Sequence, residues 1–127
     1  MESRVQEAVN KKLSGYNCAQ AVACTYCDLV GIDEETMRNM TAAFAVGMGA
    51  MEASCGALTG AGIILGLMNK DQRKSFGDAK TMITAFKEQN GSVICKELKG
   101  IETGKMLRPC NDCVADAARF LEEIIAE

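Results

Sequence analysis

The sequence predicts an all-α protein, a single-domain bundle of about five to seven helices over residues 1–127 around a glycine-rich central helix. Three observations support this fold class. Segments with apolar residues at helical spacing alternate with glycines and helix-capping residues. No stretch alternates apolar and polar residues for more than a few positions, as a half-buried strand would. The only proline, Pro109, lies just before the last predicted helix.

Capping residues and glycines divide the N-terminal part into three predicted helices. The second follows Asn17, and Gln20 three residues later fits a capping box. At about 100° per residue, this helix should bury Cys18 and Leu29 on one face and turn Cys24 to its more polar side. The three helices should span residues 3–13, 17–30 and 33–46, followed by Gly15, Gly31 and Gly47 respectively.

A fourth helix, expected from Cys55 to about Met68 with Ser54 as its cap, carries two glycine pairs. The pairs are Gly56 with Gly60 and Gly62 with Gly66. Each helical glycine costs up to about 1 kcal/mol relative to alanine. We therefore expect a central helix with close neighbours on more than one side, and one of those neighbours could be a second subunit in a homodimer.

Three more helices are expected in the C-terminal part. Phe76, Ile83 and Phe86 share a helical spacing in a segment that should span residues 75–90. A short helix over residues 92–99 ends at Gly100, and an amphipathic helix begins at Asn111 or Asp112.

Charge and apolar patterning exclude several classes of protein. The net charge of −3 is spread over scattered charges, so no basic surface for nucleic acid is expected. Residues 53–68 are apolar but fall short of the roughly 20 residues needed to cross a bilayer, so we expect no membrane partner. The first residues lack a basic run followed by an apolar core, which predicts a cytoplasmic protein.

Seven cysteines in a short chain are the most informative feature. In a reducing cytosol they indicate catalytic, redox-sensing or metal-binding thiols more than a disulfide framework. Cys18, Cys55 and Cys110 fall at predicted helix starts, where free N–H groups stabilise a thiolate. We expect Cys55 to be the thiol with the lowest pKa. Glu52, three residues before it, is either a proton acceptor near this thiol or an exposed loop carboxylate.

The last predicted helix begins with a C-x-x-C pair, Cys110 and Cys113. This spacing allows two sulfurs to form a disulfide or bind one metal ion. A thioredoxin-like fold is excluded because no strand precedes the pair. Cys113 is equally well explained as a core residue of the amphipathic face. The absence of histidine removes the commonest general base and mixed Cys/His zinc sites.

Four sequence blocks resemble the bacterial and archaeal "CGCAxxGCC" family of redox-active proteins. They are Tyr16-Asn17-Cys18-Ala19-Gln20, Cys55-Gly56-Ala57-Leu58-Thr59-Gly60, Cys95-Lys96-Glu97-Leu98 and Cys110. The resemblance covers nearly the whole chain, and it implies that Cys18, Cys55, Cys95 and Cys110 are the recurrent cysteines. Cys24, Cys27 and Cys113 are then additions. Some relatives are joined to haem or iron–sulfur modules, which implies that a cluster is compatible with the family.

Three interpretations of these cysteines stay open at this point, and so does the question whether the protein is an enzyme. In the first, Cys55 exchanges disulfides with a redox partner protein, and Cys18, Cys95 or Cys110 resolves the intermediate. In the second, Cys18, Cys55, Cys95 and Cys110, with Cys113 as a further candidate, hold zinc or an iron–sulfur cluster. In the third, the chain is a helical interaction module whose cysteines mostly pack in the core.

Overall fold

The computed structural model describes residues 1–126 as an all-α bundle, which confirms the predicted fold class. Its α-helices are α1 (Val5–Leu13), α2 (Cys18–Tyr26), α3 (Glu34–Thr41), α4 (Gly56–Asn69), α5 (Gln72–Asn90), α6 (Cys95–Lys99) and α7 (Cys110–Ala126). Short 3-10 segments, Cys27–Val30 and Ala42–Phe44, extend α2 and α3, and a π-type turn, Gly47–Met51, precedes α4. The β-structure of the described part is one isolated bridge, between Ser54 and Ile94.

The core of the bundle is the pair formed by α2 and α4, with α1, α3, α5 and α7 packed around it. Gly60 lies against the α2 backbone, since a Cβ atom there would lie 2.5 Å from the carbonyl oxygen of Ala19. The close packing predicted for the first glycine pair is therefore confirmed. At the second pair, Gly62 and Gly66, an added Cβ atom would meet nothing within 4 Å, so the expectation of a close neighbour on that side is wrong within this chain.

Helix α2 is buried on nearly all sides, and only Gln20 among its residues is half-exposed. Cys24 is buried because α1 and α3 cover its side of the helix, but that side is the polar one predicted, since charged residues such as Lys11 and Glu34 lie around the thiol. Leu29 is exposed instead of buried. The chain switches at Cys27 to a 3-10 helix with about three residues per turn, which rotates Leu29 away from the buried face.

Side-chain caps fix the starts of α2, α3 and α5, the first two where the sequence predicts them. The Asn17–Gln20 capping box is confirmed: the Gln20 N–H donates to Asn17 Oδ1 at 2.7 Å, and the Asn17 N–H donates to Gln20 Oε1 at 3.0 Å. Asp33 caps α3 by accepting from the Thr36 N–H at 2.9 Å. Helix α5 begins three residues earlier than expected, at Gln72 after the cap Asp71, and Phe76 on it is exposed, not buried.

The predicted break before α4 is confirmed, and its backbone is strained. Val46, Met48 and Met51 all have positive φ angles, 52°, 63° and 60°, a region that side-chain-bearing residues rarely adopt. Glu52 at the end of this turn is exposed and accepts a hydrogen bond from Lys96 Nζ at 3.2 Å. Of the two roles considered for Glu52, the exposed loop carboxylate is the one observed.

Across residues 1–126 no helix combines the length and the apolar character needed to span a bilayer.

Candidate functional site

Four helices begin with a cysteine, one more than the sequence predicted. Cys18, Cys95 and Cys110 are the first residues of α2, α6 and α7, and Cys55 is the N-cap residue of α4. Ser54 does not cap α4 as expected, because it belongs to the isolated bridge one residue earlier. Cys95 was placed inside a short helix by the sequence, and the true start of that helix falls on the cysteine itself.

The antiparallel bridge between Ser54 and Ile94 brings together the two segments that carry Cys55 and Cys95. The Cys55 N–H donates to the Val93 carbonyl at 2.7 Å, and the Cys95 N–H donates to the Ala53 carbonyl at 3.0 Å. These two hydrogen bonds align the starts of α4 and α6, which are 40 residues apart in sequence. Two of the predicted site cysteines thus flank the same backbone bridge.

Glycines let α2 and the π-type turn approach these cysteines closely. A Cβ atom on Gly56 would lie 2.5 Å from Cys18 Sγ and 2.6 Å from the Phe44 carbonyl oxygen. A Cβ atom on Gly47 would lie 2.7 Å from Cys95 Cβ. Real Cβ atoms do not approach that closely, so both positions need glycine for the site to close around the sulfurs.

The four predicted sulfurs lie close enough to influence one another electrostatically. Burial is the largest cause that raises the pKa of Cys95, and negative charge on Cys55, Cys110 or Cys18 raises it further. The pKa of Cys110 is likewise raised first by burial and then by Cys18 and Cys55, against the opposing effect of nearby lysines. We call Cys18, Cys55, Cys95 and Cys110 together with Cys113 the thiol cluster.

Cys55 is not the low-pKa thiol that its helix-start position predicted. Its pKa is raised well above the usual range, first by hydrogen bonding with the neighbouring thiol of Cys113 and then by burial. The N–H groups of Ala57 and Leu58, at the helix N-terminus, lower this pKa, but their effect is smaller than that of Cys113 and burial. Helix position alone does not set this pKa, because the Cys113 thiol lies beside Cys55 and because Cys55 is only 5% exposed, where a charge is costly.

Cys113 joins the cluster from a position one turn into α7. Its thiol lies beside Cys55 and donates to the Arg108 carbonyl oxygen at 3.8 Å. At 2% exposure it is also a core residue, so the two roles considered for it coincide. The C-x-x-C pair therefore contributes both of its sulfurs to the cluster.

Cys110 is the half-exposed cysteine, whereas the other six are buried. Lys99 and Lys12 are near enough to lower its pKa, in partial opposition to burial. Lys99 has the same effect on Cys95. The thiol cluster thus meets solvent at Cys110, beside two lysines.

Cys24 and Cys27 lie apart from the cluster, at the C-terminal end of α2. Their spacing, Cys24-Thr25-Tyr26-Cys27, is a second C-x-x-C pair that the sequence interpretation overlooked. The spacing itself was the available signal. Burial is the largest cause that raises the pKa of Cys24 to about 11, with Cys27 the second cause. The two thiols line a surface cavity of about 490 Å³.

All seven cysteines are free thiols in this structure. Among residues 1–126, no group of three or more cysteine, aspartate or glutamate side chains has an arrangement that could hold a metal ion. The four cysteines that the metal interpretation requires are near one another without forming such a donor set.

Comparison with protein families now gives the cysteine pattern a context. Residues 16–124 match the sequence model of the family described as "Putative redox-active protein (C_GCAxxG_C_C)". The chain belongs to this family. The matched region contains all seven cysteines of the chain. Neither the curated proteins nor the solved structures that were compared include a match to the chain.

Proposed function

We propose that this C_GCAxxG_C_C protein exchanges disulfides with a partner protein through its thiol cluster. Cys110 is the attacking thiol and Cys18 the resolving thiol. This assignment differs from the expectation that Cys55 attacks, because Cys55 is buried and its pKa is raised well above the usual range. A reducing cytoplasm would supply the free thiols that the reaction needs.

The observation that carries the proposal is that four helices, each with a cysteine at its N-terminus, converge. Solvent reaches the sulfur of one of these cysteines. Helix N-termini supply N–H groups that stabilise thiolates. Cys110 is the sulfur that solvent reaches, and the lysines beside it favour its ionised form. Cys18 raises the pKa of Cys110 more than any other cysteine does, which supports Cys18 as the thiol that resolves a mixed disulfide.

The reaction balances as a two-electron exchange. The Cys110 thiolate attacks one sulfur of a partner disulfide, and the other partner sulfur leaves as a thiolate that takes up a proton. Cys18 then attacks the Cys110 sulfur of the mixed disulfide, loses its proton, and releases the second partner thiol. The partner gains two electrons and two protons, and the cluster is left with a Cys18–Cys110 disulfide. The same steps in reverse oxidise a partner dithiol.

Cys55, Cys95 and Cys113 lie behind this pair. All three are buried, so a partner protein reaches the cluster through Cys110. The contact between Cys55 and Cys113 offers a second, inner dithiol, to which the disulfide could pass by internal exchange.

The test is to treat the reduced protein with one equivalent of a small-molecule disulfide such as oxidised glutathione. We expect the free-thiol count to fall by two and peptide mass spectrometry to find Cys18 linked to Cys110. Cys18→Ser should stop the reaction at a mixed disulfide on Cys110. Cys110→Ser should react much more slowly, because its remaining cluster thiols are buried. Cys24→Ser is the matched control and should react as the unmodified protein does.

Two results would overturn the proposal. One is a Cys110→Ser variant that exchanges at the original rate. The other is iron or zinc at one equivalent in protein purified without oxygen, lost in the Cys55→Ser variant, which would replace disulfide exchange by the metal interpretation.

A further inference from the structure

We propose that Cys24 and Cys27 form a second thiol site, separate from the thiol cluster, that binds one soft monovalent metal cation, Cu⁺, between two sulfurs. The site lies at the C-terminal end of α2, and Cys18 of the cluster lies at the opposite end of the same helix. The proposal does not depend on disulfide exchange at the cluster.

The geometry brings two sulfurs to one cavity. Cys24 and Cys27 are three residues apart, about one helical turn, and both line the same cavity of about 490 Å³. Their present hydrogen bonds are weak, because a thiol is a weak donor: the Cys24 thiol lies 4.0 Å from the Glu34 carbonyl oxygen, and the Cys27 thiol donates to the Cys24 carbonyl oxygen at 3.3 Å. A cation that takes both sulfurs would displace only these contacts.

The electrostatics of this end of α2 favour a cation. The last carbonyl groups of a helix carry partial negative charge, the opposite of the N-termini at the cluster. The N-terminus of α3 also faces this region, but its positive end is offset by the capping carboxylate of Asp33 and by Glu34 and Glu35. The two thiol sites therefore lie at opposite ends of the α2 dipole, and at the C-terminal end Arg4 Nη1 donates to the Thr25 carbonyl oxygen at 3.0 Å.

The charged groups of the cavity add to this effect. Three carboxylates line it against two cations, Arg4 and Lys11. Arg4 is paired with Asp28 at 2.6 Å, and Lys11 lies 4.0 Å from Glu7. The remaining carboxylate, Glu34, accepts a hydrogen bond from the neutral Tyr16 hydroxyl at 3.0 Å and has no salt-bridge partner among residues 1–126. The Glu34 carboxylate therefore lies in the cavity without a salt bridge to the described part of the chain and can attract a bound cation.

The number of sulfurs selects the ion. Thiolates are soft ligands that favour Cu⁺ among the biological metals. Two thiolates complete a linear Cu⁺ site, whereas structural zinc takes four ligands. Because the described residues provide no set of three donors, a two-coordinate ion fits where Zn²⁺ does not. On binding, each thiol gives its proton to solvent and forms one Cu–S bond, and no atom changes oxidation state.

The test is a competition titration on the reduced, full-length protein without oxygen. Cu⁺ is supplied as its coloured complex with bathocuproine disulfonate, and loss of colour reports transfer to the protein. We expect Cys24→Ser and Cys27→Ser each to weaken the tightest Cu⁺ site at least about tenfold, since loss of even an outer-shell partner costs about that much. Cys110→Ser should leave this affinity unchanged, which separates the pair from the cluster.

Two further measurements test the proposal even if a cysteine variant fails to fold. X-ray absorption of the unmodified protein with one equivalent of Cu⁺ should show two sulfur neighbours. Glu34→Gln, which keeps both sulfurs, should weaken binding by a smaller factor than either cysteine variant. The proposal is overturned if the tightest site is lost in Cys110→Ser and kept in Cys24→Ser, or if the bound copper has three or more sulfur neighbours.

Discussion

The Arg108 guanidinium donates two hydrogen bonds to the buried carboxylate of Asp116, from Nε to Oδ2 at 2.9 Å and from Nη2 to Oδ1 at 3.1 Å. Asn90 of α5 donates to the same carboxylate at 3.1 Å. Arg108 lies two residues before Cys110, and its carbonyl oxygen accepts from Cys113. This ion pair therefore joins the loop before α7, α5 and two cysteines of the thiol cluster.

Removing this carboxylate should destabilise the protein. Asp116→Ala takes away three hydrogen bonds to a buried charge. Because the Arg108 side chain is itself 36% exposed and partly solvated, we expect a loss of about 2–3 kcal/mol rather than more. The free energy of unfolding in urea measures it. Glu123→Ala is the control, because that carboxylate is 61% exposed and pairs with Arg119 on the same helix. A loss in Asp116→Ala no larger than in this control would contradict the assigned role.

The contact between α2 and α4 should tolerate no side chain at its two glycines. Gly56→Ala would place a Cβ atom against Cys18 Sγ and the Phe44 carbonyl, and Gly60→Ala would place one against the Ala19 carbonyl. Because two of these three obstacles are backbone, we expect each variant to lose about 1–3 kcal/mol of unfolding free energy.

Gly62→Ala on the same helix is the matched control for that experiment. A Cβ atom there meets nothing within 4 Å. Alanine is the better helix former, so this variant should gain up to about 1 kcal/mol. Equal effects of the three substitutions in thermal or urea unfolding would show that helix propensity, not close packing, governs these positions.

Local sequence patterns predict where helices begin, but they do not predict which other segments pack against those positions. The Asn17–Gln20 capping box needs only neighbouring residues, so the sequence contains all the information for it. The convergence of Cys55 with Cys95 depends instead on hydrogen bonds between residues 53–55 and 93–95, a pairing that no helical periodicity reveals. The family pattern identified these cysteines as a set, whereas only the tertiary structure brings them together.

The electrostatic prediction for Cys55 failed for a similar reason. Its helix N-terminus was correctly foreseen, and the N–H groups of Ala57 and Leu58 do lower the pKa. Burial and the thiol of Cys113 outweigh them, and both arise from the packing of α7 on α4. Likewise, Cys24 becomes buried only because other helices cover α2 on nearly every side.

The positive charge of Lys99 should increase the rate at which the Cys110 thiol reacts. Lys99→Gln removes the positive charge that most lowers the pKa of this thiol, so the pKa should rise and the thiolate fraction fall. We expect alkylation of Cys110 by iodoacetamide at pH 8 to slow about two- to fivefold, with a smaller difference in 1 M salt, where the screening length is about 3 Å. Lys80→Gln, an exposed charge on α5, is the control. An equal slowing in both variants, or one that salt does not change, would exclude a direct effect on the thiol.

Cys110 should be the first thiol to react with iodoacetamide in the folded protein. The other six are buried and should be modified only after the protein opens. Because the pKa of Cys110 lies above its usual value, the thiolate is the minor form at neutral pH. Its alkylation rate should therefore rise nearly tenfold from pH 7 to pH 8, as the thiolate fraction does. Peptide mass spectrometry of the partly alkylated protein identifies the site and gives the rate. A rate that levels off between these pH values, or an earlier modification of Cys55, would reverse the order of reactivity assigned to the thiol cluster.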